Sequence, residues 1–345
     1  MNWHKMIGCC AGILVGLLGY AQDVPYPEGA KGVVRPIVHD PVIIGQNGVY
    51  YMFHTGPGIT SWRSSDRVHW DTIDPVFPIL PEWMHATVKG FTGHIWAPDI
   101  SFHDGIYHLF YSVSAFGKNT SCIGHATNRT LDPDSPDYQW DDHGIVLQSF
   151  PGITNWNAID PNIVVDDNGK VFMSFGSFWG GLFIAEMKDD LSGLAEDWRE
   201  LTCIAARSST DPEGSESGGI ADGPGERAIE APFIHRHDGY YYLFASIDLC
   251  CRGAESTYKM IVGRSRNVKG PYVDSEDRPM LEGGGDMLLS GDSRWHAVGH
   301  NGVSSFGDGD YLVYHGYDTE DPAGRARLLL RRIQWTWPLT LGEEE

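Results

Sequence analysis

Residues 228–244 read AIEAPFIHRHDGYYYLF. An apolar segment, a polar turn closing on Asp238-Gly239 and a run of aromatic residues make a β-hairpin. Asp-Gly between apolar stretches supplies the positive φ that a tight hairpin turn needs. Glu230 breaks the pattern. A carboxylate opens a strand otherwise built from Ile229, Ala231, Pro232, Phe233 and Ile234. A rim facing water would explain one such residue, so the question is whether the unit recurs.

It does. GQNGVYYMF around Gly48, HDGIYHLFY around Gly105, DDNGKVFMSF around Gly169 and GDGDYLVYHG around Gly309 repeat the hairpin of Gly239. Their spacing, roughly 60 to 70 residues, suits four-stranded blades with long loops. Helical periodicity is nearly absent. The repeats predict an all-β chain folded as a five-bladed β-propeller, one domain over residues 22–345. Counting back nine residues from Gly105, Gly169, Gly239 and Gly309 gives Trp96, Asp160, Glu230 and His300, and eight from Gly48 gives Asp40. The first strand of each blade lines a propeller's channel, so these positions should converge on the central axis. Three carboxylates meeting there repel one another unless chemistry requires them. The expected active site is therefore on that axis.

Composition limits the partners. The chain has 345 residues, 41% hydrophobic and 21% charged, with a formal net charge of −21. Nucleic-acid binding needs clustered Lys and Arg, which this balance argues against. At the N-terminus Lys5, the apolar or small run from Ile7 to Leu18, and Gly19-Tyr20-Ala21 read as a signal peptide over residues 1–21. The run is short for a membrane span. A secreted or periplasmic protein is expected, free of the membrane after cleavage and monomeric. Export leaves Cys122, Cys203, Cys250 and Cys251, whose three possible connectivities the sequence does not choose among.

Three carboxylates and a histidine at one axis suit two chemistries. Hard oxygen ligands hold calcium. Glycoside hydrolysis needs one protonated and one ionised carboxyl group across the scissile bond, with a third charge able to tune the acid. Glu230 stands between apolar neighbours, which favours a protonated acid, whereas Asp40 lies between His39 and Pro41, a setting for an ionised base. Aromatic residues near the expected mouth, Trp96, Phe116, Trp156, Phe178 and Trp179, would serve as sugar platforms or as core.

VHDP (38–41), WAPDI (96–100), NAIDPNIV (157–164), FGSFWGG (175–181), IEAPFI (229–234) and GHNGV (299–303) together resemble the family 43 glycoside hydrolases, most closely their arabinanase branch. That resemblance covers the mature chain in order. It implies a five-bladed propeller and inverting hydrolysis of α-1,5-linked L-arabinofuranosyl bonds in arabinan or arabino-oligosaccharides, with internal cleavage expected. It also implies Asp40 as general base, Glu230 as general acid and Asp160 as the residue that holds the acid and tunes its pKa. Substrate contacts fall to His39, Trp96, Phe116, Asn157, Ser177 and Trp179. An axial metal, calcium, falls to His300, with His296 four residues earlier as a second candidate. The alternatives are a β-xylosidase or α-L-arabinofuranosidase of the same family and, in another class, a non-catalytic glycan-binding propeller. The segment 208–227, rich in Gly, Ser and acids, is expected as a loop at the cleft edge.

Overall fold

The structure is a computed structural model that describes residues 26–207 and 228–345. The expected signal peptide and the 208–227 loop lie outside the described residues. Five antiparallel sheets follow one another along the chain. Blade I is built from Val42–Gln46, Val49–His54, Thr60–Ser64 and His69–Ile73, with Val33–Val34 added at its outer edge. Blade II uses His94–His103, Ile106–Val113, Cys122–Asn128 and Asp141–Gln148, and Gly56–Pro57 pairs with its first strand. Blades III, IV and V begin at Asn162–Val165, Ile229–His237 and Trp295–Phe306 and hold four strands each. Glu82–Thr87 is the α-helix among the described residues.

Each repeated hairpin forms the first two strands of a blade. Arg236 and His237 pair with Tyr241 and Tyr240 across the Asp238-Gly239 turn, for example. A blade must bury both faces, so the apolar mass lies between blades and not on the axis. Five clusters show this: Phe53, Tyr107 and Leu109 between blades I and II; Phe110, Met173 and Phe183 between II and III; Ile184, Leu243 and Tyr272 between III and IV; Phe244, Leu312 and Tyr314 between IV and V; and Trp62, Trp70 and Val313 between V and I. The ring closes through residues 36–38. Leu328 N–H donates to Pro36 O at 3.0 Å, Val38 N–H donates to Ala326 O at 3.1 Å, and Arg35 pairs with Glu344 at 2.8 Å.

Just before the first strand in blades I and III, and within it in blades II, IV and V, the backbone makes the same kink. Asp40, Ala97, Asp160, Ala231 and His300 all have φ between 41° and 57°. Each of these five amides donates to a side chain of the preceding blade: Asp40 to His315 Nδ1, Ala97 to Thr55 Oγ1, Asp160 to Ser112 Oγ, Ala231 to Asp160 Oδ2 and His300 to Ser246 Oγ. This corrects the repeat register read from the sequence. The equivalents of Asp40 in blades II and IV are Ala97 and Ala231, and Trp96 and Glu230 stand one residue earlier, level with His39. Glycine was a poor ruler for counting. Gly309 already belongs to the second strand of blade V, and the turn of blade III runs longer, from Val165 to Val171.

Candidate active site

A cleft of about 370 Å³ opens on the channel end where the kinks lie. Asp40, Asp160, Glu230 and His300 all line it, as do His39, Trp96, Phe116, Asn157, Ser177 and Trp179. The structure therefore brings together every residue singled out by motif. His296 is exposed on its strand and does not line the cleft. Trp156 is buried against Phe175 and Trp198 and is core. Phe116 is half exposed (51%) and can offer a ring face to a sugar.

Asp40 collects donors. His39 Nδ1 lies 3.0 Å and His300 Nδ1 3.1 Å from Oδ1, and the Thr55 hydroxyl donates to Oδ2. Thr55 Oγ1 accepts the Ala97 amide at 2.8 Å, which commits its own proton to Asp40. His315, fully buried beneath, accepts the Asp40 amide through Nδ1. Burial alone would push Asp40 up. The charge and hydrogen bond of His300, with the hydrogen bond of His39, outweigh it and hold the carboxyl well below the ordinary carboxylate range. The same pairing works on His300, which burial would lower but Asp40 raises to about 9.

Glu230 is in the opposite situation. It is 8% exposed, and burial raises its pKa against the lowering effect of hydrogen bonds from Ser177 and Tyr258. Ser177 Oγ donates to Oε2 at 2.7 Å, and Ser177 and Glu230 also pair through their backbones, which ties blade III to blade IV at this point. Asp160, 6% exposed, is pushed up to about 8 by burial, opposed by His300 and reinforced by the charges of Glu230 and Asp40. Its Oδ2 accepts the Ala231 amide at 3.1 Å, one residue past Glu230, so Asp160 fixes the backbone that carries the acid. One cleft thus holds one carboxyl whose pKa is lowered and two whose pKa is raised, the separation of base from acid that acid–base hydrolysis requires.

The sequence profile of Glycosyl hydrolases family 43 matches residues 30–338. The chain belongs to that family. It is 46% identical over 314 residues to the extracellular exo-α-(1→5)-L-arabinofuranosidase ArbA of Cellvibrio japonicus, covering 90% of this chain and 88% of the relative. It is 34% identical to the extracellular endo-α-(1→5)-L-arabinanase 1 of Bacillus subtilis, covering 98% of each. Among solved structures, the α-L-arabinanase of Cellvibrio cellulosa complexed with arabinohexaose superposes with a TM-score of 0.83 at 46% identity, over 89% of this chain and 96% of that one. This family 43 chain is therefore a glycoside hydrolase of the arabinanase and arabinofuranosidase branch, and the non-catalytic reading gives way.

Sequence reasoning passed over several residues of this family 43 site. Thr55, Tyr258, His315 and Tyr317 lie beyond the strand-opening motifs and were not singled out. Four of the second strands carry small polar or histidine residues at or near their ends, as in HTGPG (54–58), SVSAF (112–116), ASIDL (245–249) and HGYDT (315–319), and that recurrence was available as a signal. Cys250 and Cys251 form a disulfide with each other and line the cleft, while Cys122 and Cys203 are free. A metal has a candidate holder in His300, which faces three buried carboxyl groups. His39, Asp40 and His315 also place ligand atoms within 4.8 Å of one another, but Asp40 and His39 there are bonded to each other.

Proposed function

We propose that this enzyme hydrolyses α-1,5-linked L-arabinofuranosyl chains by single-displacement inversion, with Asp40 as base, Glu230 as acid and Asp160 as the group that orients and tunes the acid. The observation that carries the reading is the split in proton affinity across one cleft: Asp40 held low, Glu230 raised. A carboxylate offers about four lone-pair sites. Three donors hold Asp40, from His39, His300 and Thr55, which leaves a direction for the water it activates. Glu230, kept protonated by burial, delivers its proton to the leaving oxygen, and Trp96, Phe116 and Trp179 offer rings to the sugars on either side. The substrate follows from relatives named for α-1,5-arabinan linkages and from the arabinohexaose complex. Export as an extracellular enzyme agrees with the names of both relatives.

The axial site fits a largely hydrated cation. It offers one imidazole, and its buried carboxyls repel one another in a way that positive charge would relieve. His300 would hold calcium through the ring nitrogen not facing Asp40. When bound, the ion supplies charge that favours the ionised state of Asp40.

Internal cleavage is the mode expected from the sequence, and the B. subtilis relative is named an endo enzyme. Release from chain ends is a second reading, favoured by the higher identity to exo-acting relatives, 46% for C. japonicus ArbA and 39% for an exo-1,5-α-L-arabinanase from a bovine ruminal metagenome. Incubating the mature enzyme with linear debranched arabinan and following products by chromatography separates them. A spread of early oligosaccharides means internal cleavage, and one short product from the first time point means end release. No release from arabinan alongside turnover of xylan or aryl glycosides would overturn the substrate assignment.

A further inference from the structure

The disulfide between Cys250 and Cys251 forms part of the wall of the cleft that holds the acids. Cys251 has φ 67°, a left-handed conformation that a residue with a side chain adopts only when its surroundings enforce it. A bridge between neighbours closes a small ring that restricts both backbones. Cys250 also packs against a small buried cluster of Tyr258, Ala297, Tyr317 and Ala326.

The amide of Cys251 points at that cluster. It donates to Tyr317 Oη at 2.8 Å. Burial holds the phenol's pKa well above its ordinary value, against the lowering effect of the Cys251 amide. With the amide on its oxygen, Tyr317 directs its own proton to the second contact, His39 Nε2 at 2.7 Å, because the ionised Asp40 on the far side of the ring can only accept from Nδ1. A histidine that accepts at Nε2 carries its proton on Nδ1, and Nδ1 is the atom 3.0 Å from Asp40 Oδ1. The chain of commitments runs from a backbone amide to a phenol, to an imidazole, to the base.

We infer that Tyr317, fixed by the amide of the bridged Cys251, is a positioning residue for hydrolysis: it sets the tautomer of His39 so that Nδ1–H donates to Asp40. This rests on the assignment of Asp40 as base. It also changes the part played by His39. Both ring nitrogens are spent on Tyr317 and Asp40, so His39 acts on the base and not through a hydrogen bond to the sugar.

The test combines Tyr317→Phe, the double variant Cys250→Ala/Cys251→Ala, their combination and Asp40→Asn, assayed on linear arabinan. Tyr317→Phe keeps the ring and its packing. It should lower kcat about tenfold to a hundredfold, the size seen when outer partners of a functional histidine are removed, with KM within about twofold. Long-range proton–nitrogen NMR should show His39 as the Nδ1–H tautomer in the wild type and as a mixture in Tyr317→Phe. The cysteine variant should lose a comparable factor, and combining it with Tyr317→Phe should add little, because both break one chain. If the cysteine variant does not fold, dithiothreitol on the folded wild type replaces it: two electrons and two protons pass to the bridge, leaving two thiols and cyclic oxidised dithiothreitol, and kcat should fall as in Tyr317→Phe. Unchanged kcat or an unchanged His39 tautomer in Tyr317→Phe overturns the inference, and so do fully multiplicative losses in the combination. Activity retained by Asp40→Asn would instead overturn the base assignment beneath it. An inactive Asp40→Asn beside a fully active Tyr317→Phe removes only the positioning role.

Discussion

Ser177→Ala isolates what tunes the acid. Ser177 and Glu230 are 3% and 8% exposed, and the Ser177 hydroxyl donates to Oε2 at 2.7 Å. A hydrogen bond to a charged group contributes about 1.5–3 kcal/mol. At about 1.36 kcal/mol per pKa unit, losing it should raise the pKa of Glu230 by about 1–2 units. The sign follows from the group's role. Ser177 stabilises the ionised form, so its removal leaves Glu230 protonated to higher pH. Because the acid works in its protonated form, the alkaline limb of the kcat/KM profile should move up by that amount. Because the charge of Glu230 raises Asp160, the limb reports the two together and the shift is read on the macroscopic value. The assay is initial rate on linear arabinan from about pH 4 to 10, with circular dichroism at each pH to confirm folding. An alkaline limb that stays in place while KM rises would refute the argument and return Ser177 to a substrate contact.

Glu230→Gln should lower kcat on polymer by two orders of magnitude or more, about 10²–10⁴-fold, with little effect on melting temperature; near-wild-type turnover would remove it as the acid. His300→Ala should lower bound calcium measured by atomic emission and reduce the melting temperature gained on adding calcium; unchanged metal content would exclude it as the holder. Gly299→Ala should destabilise the protein by about 1–3 kcal/mol, because a Cβ there would lie 1.9 Å from Tyr258 Cδ1. Since Tyr258 bonds Glu230, the loss in denaturant unfolding should be accompanied by a fall in kcat; a stable, fully active variant would show that the ring moves freely.

The fold was legible because its unit is local. A hairpin with Asn-Gly or Asp-Gly announces itself within ten residues, and five of them at similar spacing leave few architectures. The three acids were legible because each opens such a unit. The supporting groups were hidden for the opposite reason. Thr55 and His315 reach Asp40 from blades I and V, Tyr317 reaches it through His39, and His315 and Tyr317 stand more than 270 residues from it in sequence. The polar residues that recur near their strand ends do not say what they touch, because the contacts of His315 and Tyr317 exist only once the ring is closed by residues 36–38 against blade V.

The corrected register explains why the acids do not sit at equivalent positions. The left-handed kink is a backbone device repeated in every blade, and each non-glycine residue held there costs about 1–3 kcal/mol. Asp tolerates it best, since a short polar side chain can satisfy local backbone groups. Blades I and III accordingly place Asp40 and Asp160 on the kink itself, where their carboxylates stay close to the backbone ring. Asp160 makes this plain by accepting the Ala231 amide. Blade IV fills the kink with Ala231 and delivers its carboxylate one residue earlier, from the extended first strand, on the longer side chain of Glu230. Blade II does the same with Ala97 and Trp96. A carboxyl group one residue off the kink is freed from the backbone ring and relies on Ser177 and Tyr258. It is therefore the one whose proton is available to a leaving group.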